Sequence, residues 1–366
     1  MSFEQRISDV RTSFDVNGID ALLVTNLTNV RYLSGFAGSN GQFLITSQGA
    51  YLLTDPRYEQ RAGAMVRGAE VVIYSGRHSD TSWEGPPTEV LKPLLEAGKV
   101  ASLGIESSTM TVEEELSLRA VVGVELVNTS GVVEDRRRTK DDAEIAAIRS
   151  AVEVADAAFN HIVGFVEVGM TESQVALELE MFMRRNGAEA ISFDPIVGSG
   201  PLSAHIHHSP SDRTLGKGEL ILLDFGAKVD GYCSDLTRTV SMGSATSEQH
   251  EIYHVVLEAQ QAGISTLAEG VNGREVDAAA RKVIDEAGHG ERFGHGLGHG
   301  VGLDIHEAPR MSRLSDETMR ARDVVTVEPG IYVPGQGGIR IEDCVLVTES
   351  GAEVLSSAPK DVLMEL

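Results

Sequence analysis

Cysteine is scarce in this chain, which limits its cross-links and points to a compartment. Only Cys233 and Cys344 occur among 366 residues, and two cysteines do not make a disulfide framework in a chain of this length. A reducing, cytoplasmic environment is therefore expected. The N-terminus lacks the basic start and apolar core of a secretory signal. No run of about 18 apolar residues occurs either, so we expect no membrane span.

Positive charge is also scarce. The chain has 31 lysines and arginines against 55 aspartates and glutamates, which gives a formal net charge of −24. This balance disfavours nucleic acid or an anionic membrane as a partner. It does not identify a substrate, because acidic surfaces are common.

The chain is long enough for two domains of ordinary size, and 42% of its residues are hydrophobic. Residues 1–133 alternate between strand-like and helix-like runs, which predicts an α/β domain. Its predicted strands are residues 20–25, 42–46, 50–54, 70–74 and 101–106, and its predicted helices lie near residues 3–16, 57–66, 88–97 and 111–122. The charged segment 134–140 interrupts this pattern and is predicted to be a linker.

The remaining residues, 141–366, form a second predicted domain that opens with two capped helices. Asp141 is a candidate N-cap with Glu144 as its capping-box partner, and Thr171 with Gln174 shows the same pattern. Two further helices are predicted near residues 248–268 and 273–287.

These helix pairs are each followed by a β-hairpin, which indicates an internal repeat. Gly169 precedes Val175 by six positions and Gly270 precedes Val276 by six, at an offset of 101 residues. Two such halves, facing each other, would place their strand ends around one pocket. The predicted fold class is an α/β N-terminal domain followed by an α+β C-terminal domain with an internal pseudo-twofold repeat.

The two hairpins carry four carboxylates on apolar strands. The strand that ends in Asp224 recurs 104 residues later, where it ends in Glu328, and the second strands of the hairpins carry Asp235 and Glu342. Clustered carboxylates repel one another and are costly to desolvate. Two divalent cations would cancel the four charges, which predicts a two-metal site.

The register of the first hairpin can be predicted from its turn. Asp230-Gly231 suits a two-residue turn, and centring the turn there pairs Asp224 with Thr237. Asp235 then becomes the diagonal neighbour of Asp224 on the same face. This spacing suits two carboxylates that bridge or flank a metal pair, whereas a solvated hairpin aspartate is the simpler alternative for Asp235 alone.

A glycine-rich segment lies between the hairpins. Glycine occupies every second position from Gly294 to Gly302, and the intervening positions include His295 and His299. In an extended chain one face of this segment would be bare backbone, which allows another element to approach closely, and the other face would carry the histidines. One imidazole among carboxylate oxygens suits manganese, cobalt, iron or zinc. A pair of such ions can activate water and polarise a bond for hydrolysis.

One arginine is placed to support this site. Arg340 and Glu342 share a strand face by alternation, so Arg340 could hold a ligand carboxylate in orientation. The alternative is a plain ion pair.

The ordered set of acidic residues and histidine resembles the five-ligand signature of the metallopeptidases with the pita-bread fold, among them methionine aminopeptidase, aminopeptidase P and prolidase. The stretches similar to the proline-specific branch are 231–239 (Gly-Tyr-Cys-Ser-Asp-Leu-Thr-Arg-Thr), 295–302 (His-Gly-Leu-Gly-His-Gly-Val-Gly) and 306–309 (His-Glu-Ala-Pro). Residues 29–36 (Asn-Val-Arg-Tyr-Leu-Ser-Gly-Phe) and 54–58 (Thr-Asp-Pro-Arg-Tyr) resemble the creatinase-type N-terminal domain of that branch.

The resemblance implies a catalytic domain at 141–366 that hydrolyses the bond between an N-terminal residue and a following proline. It implies two divalent metal ions, manganese foremost, with cobalt, zinc or iron as alternatives, and a homodimer. The implied metal ligands are Asp224, Asp235, His299, Glu328 and Glu342. By the same analogy, His207 and His306 would contact the substrate and the developing oxyanion, Glu328 would also move the proton, and His295 would line the pocket.

Several alternatives stay open at this point. Methionine aminopeptidase generally lacks a large N-terminal domain, and a metal-free hydrolase or a metal-free binding protein of the same fold would have lost ligands that are intact here. Xaa-Pro dipeptidase and Xaa-Pro aminopeptidase action are not separated. The family usually shows one histidine in the loop before Ser211-Asp212, and this chain has His205, His207 and His208 there. Counting back from Ser211, His207 fits the family position.

Overall fold

The first compact unit, Met1–Arg137, is built on one six-stranded mixed sheet in the computed structural model, which describes residues 1–74 and 88–366. Its strands are β1 (Ala21–Val24), β2 (Gln42–Thr46), β3 (Ala50–Thr54), β4 (Glu70–Ile73), β5 (Ser102–Glu106) and β6 (Glu125–Thr129). The strand order is β4-β3-β2-β1-β5-β6, with β1 antiparallel to β2 and parallel to β5. The five predicted strands are confirmed, and β6 was not predicted.

The helices of this unit differ from the prediction in two places. They are α1 (Phe3–Arg11), α2 (Phe14–Asn17), α3 (Leu27–Ser34), α4 (Glu59–Met65), α5 (Thr88–Ala97) and α6 (Val112–Val122). A single helix over 3–16 is wrong, because the hydroxyls of Thr12 and Ser13 bind the carbonyls of Asp9 and Val10 and compete with the helical pattern. Helix α3 was not predicted, although Asn26 caps its first turn.

The segment 134–140 is ordered and contains the boundary between the two compact units. Its first residues form α7 (Glu134–Arg138). Arg137 and Arg138 are only 3% and 6% exposed. Arg137 donates to Asn29 of the first unit at 2.8 Å, and Arg138 pairs with Asp323 of the second unit at 2.7 Å.

Four helices of the second unit, Arg138–Leu366, carry the internal repeat. They are α8 (Asp142–Phe165), α9 (Glu172–Arg185), α10 (Ser247–Thr266) and α11 (Gly273–Glu286). Both predicted capping boxes, Asp141 with Glu144 and Thr171 with Gln174, are present. The repeat extends to backbone pairing, since an isolated bridge joins Thr171 to Thr214 in one half and Asn272 to Thr318 in the other.

The strands of the second unit form several small sheets. They are β7 (Ala190–Ile191), β8 (Ile196–Ser199), β9 (Leu220–Phe225), β10 (Ala227–Val229), β11 (Tyr232–Cys233), β12 (Leu236–Ser241), β13 (Gly298–Gly300), β14 (Glu307–Met311), β15 (Val324–Val327), β16 (Gly330–Val333), β17 (Gly337–Arg340), β18 (Asp343–Thr348), β19 (Gly351–Val354) and β20 (Met364–Glu365). The sheet orders are β11-β10-β7, β20-β12-β9-β8, β14-β13-β15-β18-β19 and β16-β17.

Each half of the second unit has its own apolar core. Leu179 of α9 and Leu223 of β9 belong to one buried cluster, and Ile284 of α11 and Val327 of β15 belong to another. Each of these strands therefore contributes side chains to the same buried core as a helix of its own half. Among the described residues, no helix combines the length and the apolarity that crossing a membrane requires.

Candidate metal centre

The first hairpin brings Asp224 and Asp235 close together in the buried interior. Asp224 of β9 lies opposite Thr237 of β12, which confirms the register predicted from the turn. Pairing of β10 with β11 continues the same register, and Asp235 lies just before β12. Asp224 and Asp235 are 8% and 5% exposed, so neither is a solvated hairpin aspartate.

The second hairpin places Glu328 and Glu342 across from each other. Val327 pairs with Asp343 on one side, and Gly330 pairs with Arg340 on the other, so the two glutamates occupy facing positions between these pairs. Glu342 is 1% exposed. The two hairpins thus differ in detail, since the carboxylates of the first are diagonal neighbours.

His299 projects from the glycine-rich segment into this group of carboxylates. Its Nε2 lies 3.4 Å from Glu328 Oε1 and 3.6 Å from Asp235 Oδ2, and its Nδ1 is 3.1 Å from the Gly300 carbonyl oxygen. Because Nδ1 must donate to that carbonyl, Nε2 is free to act as a ligand. Asp235, His299 and Glu342 each offer one ligand atom, and these atoms lie within 4.8 Å of one another.

The carboxylate oxygens show whether metal ions fit here. One oxygen of Asp224 accepts from Arg340 Nη2 at 2.5 Å, and one oxygen of Glu342 accepts from Thr237 Oγ1 at 2.6 Å. Among the described residues, the other oxygen of each, Asp224 Oδ1 and Glu342 Oε1, is buried without a hydrogen-bond partner. Since buried acceptors are normally satisfied, the donor set fits cations that would bind these oxygens.

Burial and mutual repulsion shift the pKa values of this cluster. Desolvation, together with neighbouring carboxylates, raises the pKa of Asp235 and of Glu342 well above their ordinary values. Desolvation also raises the pKa of Glu328 to about 8, against the opposing charge of Arg340. Burial lowers the pKa of His299 to about 4, which keeps the imidazole neutral, as a metal ligand must be.

A series of hydrogen bonds from Arg340 through Tyr332 to His295 lies beside the carboxylate cluster. Arg340 Nη1 donates to the Tyr332 hydroxyl at 2.9 Å, and that hydroxyl is 2.8 Å from His295 Nε2. His295 Nδ1 lies 2.8 Å from the Gly296 carbonyl, so Nε2 accepts from Tyr332. Burial, followed by the charge of Arg340, lowers the pKa of His295 to about 3. Arg340 thus orients both Asp224 and Tyr332.

The cluster opens into a cavity of about 520 Å³. All nine residues predicted for the site line this cavity, namely His207, Asp224, Asp235, His295, His299, His306, Glu328, Arg340 and Glu342. The ring of His306 lies 4.3 Å from that of His299, centroid to centroid. His207 is exposed to the cavity, whereas His208 also lines it but has its Nε2 at 2.8 Å from Glu172.

Sequence reasoning missed three residues that hold the site together. Thr237 bridges the two hairpins through Glu342 and Arg340, and the predicted register, which places it opposite Asp224, would have indicated it. Nothing in the sequence around Tyr332 indicated that it belongs to the site. Glu172 looked like an ordinary first residue of α9. Its partners, Ser199 at the end of β8 and Ser211 in the loop before β9, lie 27 and 39 residues further along.

The glycine-rich segment forms a regular strand over Gly298–Gly300. The pairing of β13 with β14 shifts register between His299 and Gly300, and the Gly302 N–H turns back to the Asp304 carbonyl. The predicted close approach is confirmed, because a Cβ on Gly298 would lie 2.1 Å from the Thr326 carbonyl oxygen.

A pair of substitutions in this segment tests that close approach. Gly298→Ala is expected to lower the free energy of unfolding by at least about 2 kcal/mol, because the backbone of β15 must move. Gly294→Ala is the matched control, since its nearest heavy atom would be 3.9 Å from the new methyl group. Urea unfolding of both variants measures the difference, and equal stability of the two would contradict the packing described.

The raised carboxyl pKa values predict how the metal-free protein responds to pH. A carboxyl whose pKa is raised by folding keeps a proton that the unfolded chain has lost, so stability falls as pH rises toward the folded pKa. The lowered pKa of His299 acts in the opposite direction, but only below its ordinary value of 6.5. We therefore expect the Tm of chelator-treated protein to fall between pH 6.5 and about 8.

Thermal unfolding across this window measures the effect, and Glu328→Gln is the control. The variant has no carboxyl to titrate at that position, so its Tm should fall less. A parent Tm that rises from pH 6.5 to about 8, or a variant with the same slope as the parent, would show that the carboxyls are not protonated as described.

Comparisons with known proteins agree with this geometry. Residues 146–349 match the model of metallopeptidase family M24, and residues 6–139 match that of the creatinase/prolidase N-terminal domain. An Xaa-Pro dipeptidase of Pyrococcus horikoshii is 37% identical, with 98% of this chain and 99% of that protein covered. Among solved structures, an Xaa-Pro dipeptidase from Bacillus anthracis is 41% identical, with a TM-score of 0.94 over 99% of this chain and 100% of the other.

A second solved structure is that of an aminopeptidase rather than a dipeptidase. An X-Pro aminopeptidase from Thermotoga maritima is 37% identical, with a TM-score of 0.88 over 96% of this chain and 99% of the other. The matches confirm the resemblance stated from the motifs and the fold class that it implied, a creatinase-type N-terminal domain followed by a pita-bread C-terminal domain. The chain belongs to metallopeptidase family M24.

Proposed function

We propose that this protein is a metal-dependent Xaa-Pro peptidase, which hydrolyses the bond between an N-terminal residue and a following proline. The observation that carries the proposal is the convergence of four carboxylates and one neutral imidazole on a single cavity. Two of the carboxylates have a buried oxygen without a partner among the described residues. Relatives that share nearly the whole length of the chain bear the name Xaa-Pro dipeptidase.

Two divalent ions, held by Asp224, Asp235, His299, Glu328 and Glu342, are the cofactor that we propose. Two dications balance four carboxylates, and hard oxygen ligands with one imidazole favour manganese, with cobalt, zinc or iron as alternatives. When bound, such a pair lowers the pKa of water and polarises the carbonyl that precedes proline.

The side chains of the cavity supply the remaining chemistry. Glu328, whose pKa is raised in the metal-free protein, takes a proton from the attacking water and delivers it to the departing proline nitrogen. His306 and His207 donate hydrogen bonds to the substrate and to the oxyanion that develops at the carbonyl, a contribution of about 3 kcal/mol per donor. His295, fixed by Tyr332, forms part of the pocket wall, and Arg340 keeps Asp224 in orientation.

The test is a comparison of substrates on protein loaded with manganese. Steady-state hydrolysis of Ala-Pro, Ala-Pro-Ala and Met-Ala distinguishes an Xaa-Pro dipeptidase from an Xaa-Pro aminopeptidase and from a methionine aminopeptidase. We expect cleavage of at least one proline substrate and little of Met-Ala. Proline cleavage that persists after exhaustive chelation would contradict the metal-dependent mechanism, and binding without any cleavage would indicate a metal-free binding protein.

We also propose that the protein works as a homodimer in a reducing compartment. Both cysteines are buried and free, and burial raises the pKa of the Cys233 and Cys344 thiols, which suits unreactive residues of the interior. The dimer rests on analogy with the family. Light scattering of the purified protein gives the mass directly, and a monomer at micromolar concentration would contradict it.

A further inference from the structure

One buried carboxylate holds the loop that carries His207. Glu172 is 0% exposed. Its Oε1 accepts from the Ser199 N–H at 2.8 Å and the Ser199 hydroxyl at 2.6 Å. Its Oε2 accepts from the Ser211 N–H at 3.1 Å and the Ser211 hydroxyl at 2.6 Å, and lies 2.8 Å from His208 Nε2. The carboxylate therefore joins the end of β8 to both ends of the segment 208–211.

The protonation state of Glu172 determines which group donates in its hydrogen bond to His208. Burial tends to raise the pKa of Glu172, but hydrogen bonds from Ser199, Ser211 and His208 outweigh burial and lower it. An ionised carboxylate accepts only, so His208 Nε2 is the donor. With its Nε2 occupied and its side chain only 11% exposed, His208 is not available to a substrate in the way that His207 is.

Backbone hydrogen bonds on either side of His207 connect it to this anchored segment. The His208 N–H donates to the His205 carbonyl at 3.1 Å, which closes a turn around Ile206 and His207. The His205 N–H in turn donates to the Leu202 carbonyl oxygen at 3.0 Å. His207 is thus exposed to the cavity from a turn with two fixed ends, one at the short 3₁₀ segment 200–204 and the other at the bond between His208 and Glu172.

We propose that His208 is a positioning residue for His207, acting through its hydrogen bond to Glu172. This inference rests on the proposed function, because that function gives His207 its contact with the substrate. Of the three histidines in the loop, it assigns the substrate contact to His207 and the anchoring of the turn to His208. Losing the anchor releases one end of the turn, so His207 spends less time in its productive position.

A matched pair of variants tests the anchor. His208→Leu introduces an apolar side chain of similar bulk and removes the donor, whereas His208→Gln retains an amide N–H in a position comparable to Nε2. On Ala-Pro or Ala-Pro-Ala, whichever the parent cleaves, we expect kcat/KM to fall about tenfold in His208→Leu and less than about threefold in His208→Gln. Metal content should equal that of the parent in both variants.

A double-mutant cycle separates positioning from a general structural role. In a His207→Ala background, His208→Leu should change kcat/KM by less than about twofold, because the residue through which it acts is already gone. A tenfold fall in that background too, or no fall in the parent background, would overturn the proposal. Thermal unfolding of each variant shows whether a lost fold accounts for a lost rate.

Crystal structures of the parent and of His208→Leu give a readout that needs no activity. We expect His207 to be displaced or disordered in the variant and in place in His208→Gln. His207 in its parent position in all three proteins would overturn the proposal even if the parent cleaves proline substrates. A parent without proline activity, but with His207 displaced in the leucine variant, would contradict the proposed function while supporting the anchor.

Discussion

His299→Ala is expected to empty the metal centre and to lower kcat/KM by about 10³-fold or more, since ion binding contributes several kcal/mol to stabilising the transition state. His299 supplies the one nitrogen among the five proposed ligands, with Nε2 at 3.4 Å from Glu328 and 3.6 Å from Asp235. Alanine leaves these carboxylates facing each other without a neutral ligand between them. Metal content by atomic spectroscopy and kcat/KM on a proline substrate are measured on the same preparation.

Metal and rate should be lost together in this variant. Excess manganese would restore part of the activity if the four carboxylates alone still bind weakly. A variant that retains the parent's metal content and loses only rate would show that His299 is not a ligand. Circular dichroism of the variant confirms that the second unit has folded.

His306→Ala is expected to keep its metal and to lose rate, with kcat about 10²-fold lower, the effect of removing one donor to a developing oxyanion. His306 stacks at a tilt on His299, with ring centroids 4.3 Å apart, but its side chain is exposed to the cavity. Burial, with the charges of Arg310 and His207, lowers its pKa, which favours the neutral imidazole. Metal content and steady-state kinetics are again the measurements.

His306→Gln is the matched control for this prediction, since an amide N–H can replace part of the lost hydrogen bond. Its kcat should lie between those of the parent and the alanine variant. If His306→Ala emptied the site, the roles given to His299 and His306 would have to be exchanged.

Much of the candidate metal centre could be predicted because it depends on local rules. A two-residue turn fixes the register of the hairpin that follows, and the turn at Asp230-Gly231 therefore placed Thr237 opposite Asp224. Capping boxes mark helix starts for an equally local reason, and both predicted boxes are present.

The parts that escaped prediction depend on distant contacts. Tyr332 matters only because folding brings it between Arg340 and His295, and nothing in its neighbours along the chain marks it. Glu172 gains its partners from β8 and from the loop before β9. The glycine-rich segment pairs with β14 through a register shift between His299 and Gly300, which the alternation of glycines along the segment does not predict.

Predicted helix boundaries were wrong where side chains compete with the backbone for hydrogen-bond acceptors. The apolar spacing of residues 3–16 is compatible with one helix, but the hydroxyls of Thr12 and Ser13 divide it. The short helix α7 lies in the charged segment 134–140, which was predicted to be the linker. Arg137 and Arg138 are instead buried because each has a specific acceptor, Asn29 and Asp323 respectively.

The central claim is that buried carboxylates from two related hairpins stay together because a pair of divalent ions lies among them. Crystals grown in excess manganese, with data collected at the manganese absorption edge, test this most directly. We expect two anomalous peaks per chain, enclosed by Asp224, Asp235, His299, Glu328 and Glu342. No peak at that position, with the carboxylates turned away from one another, would contradict it.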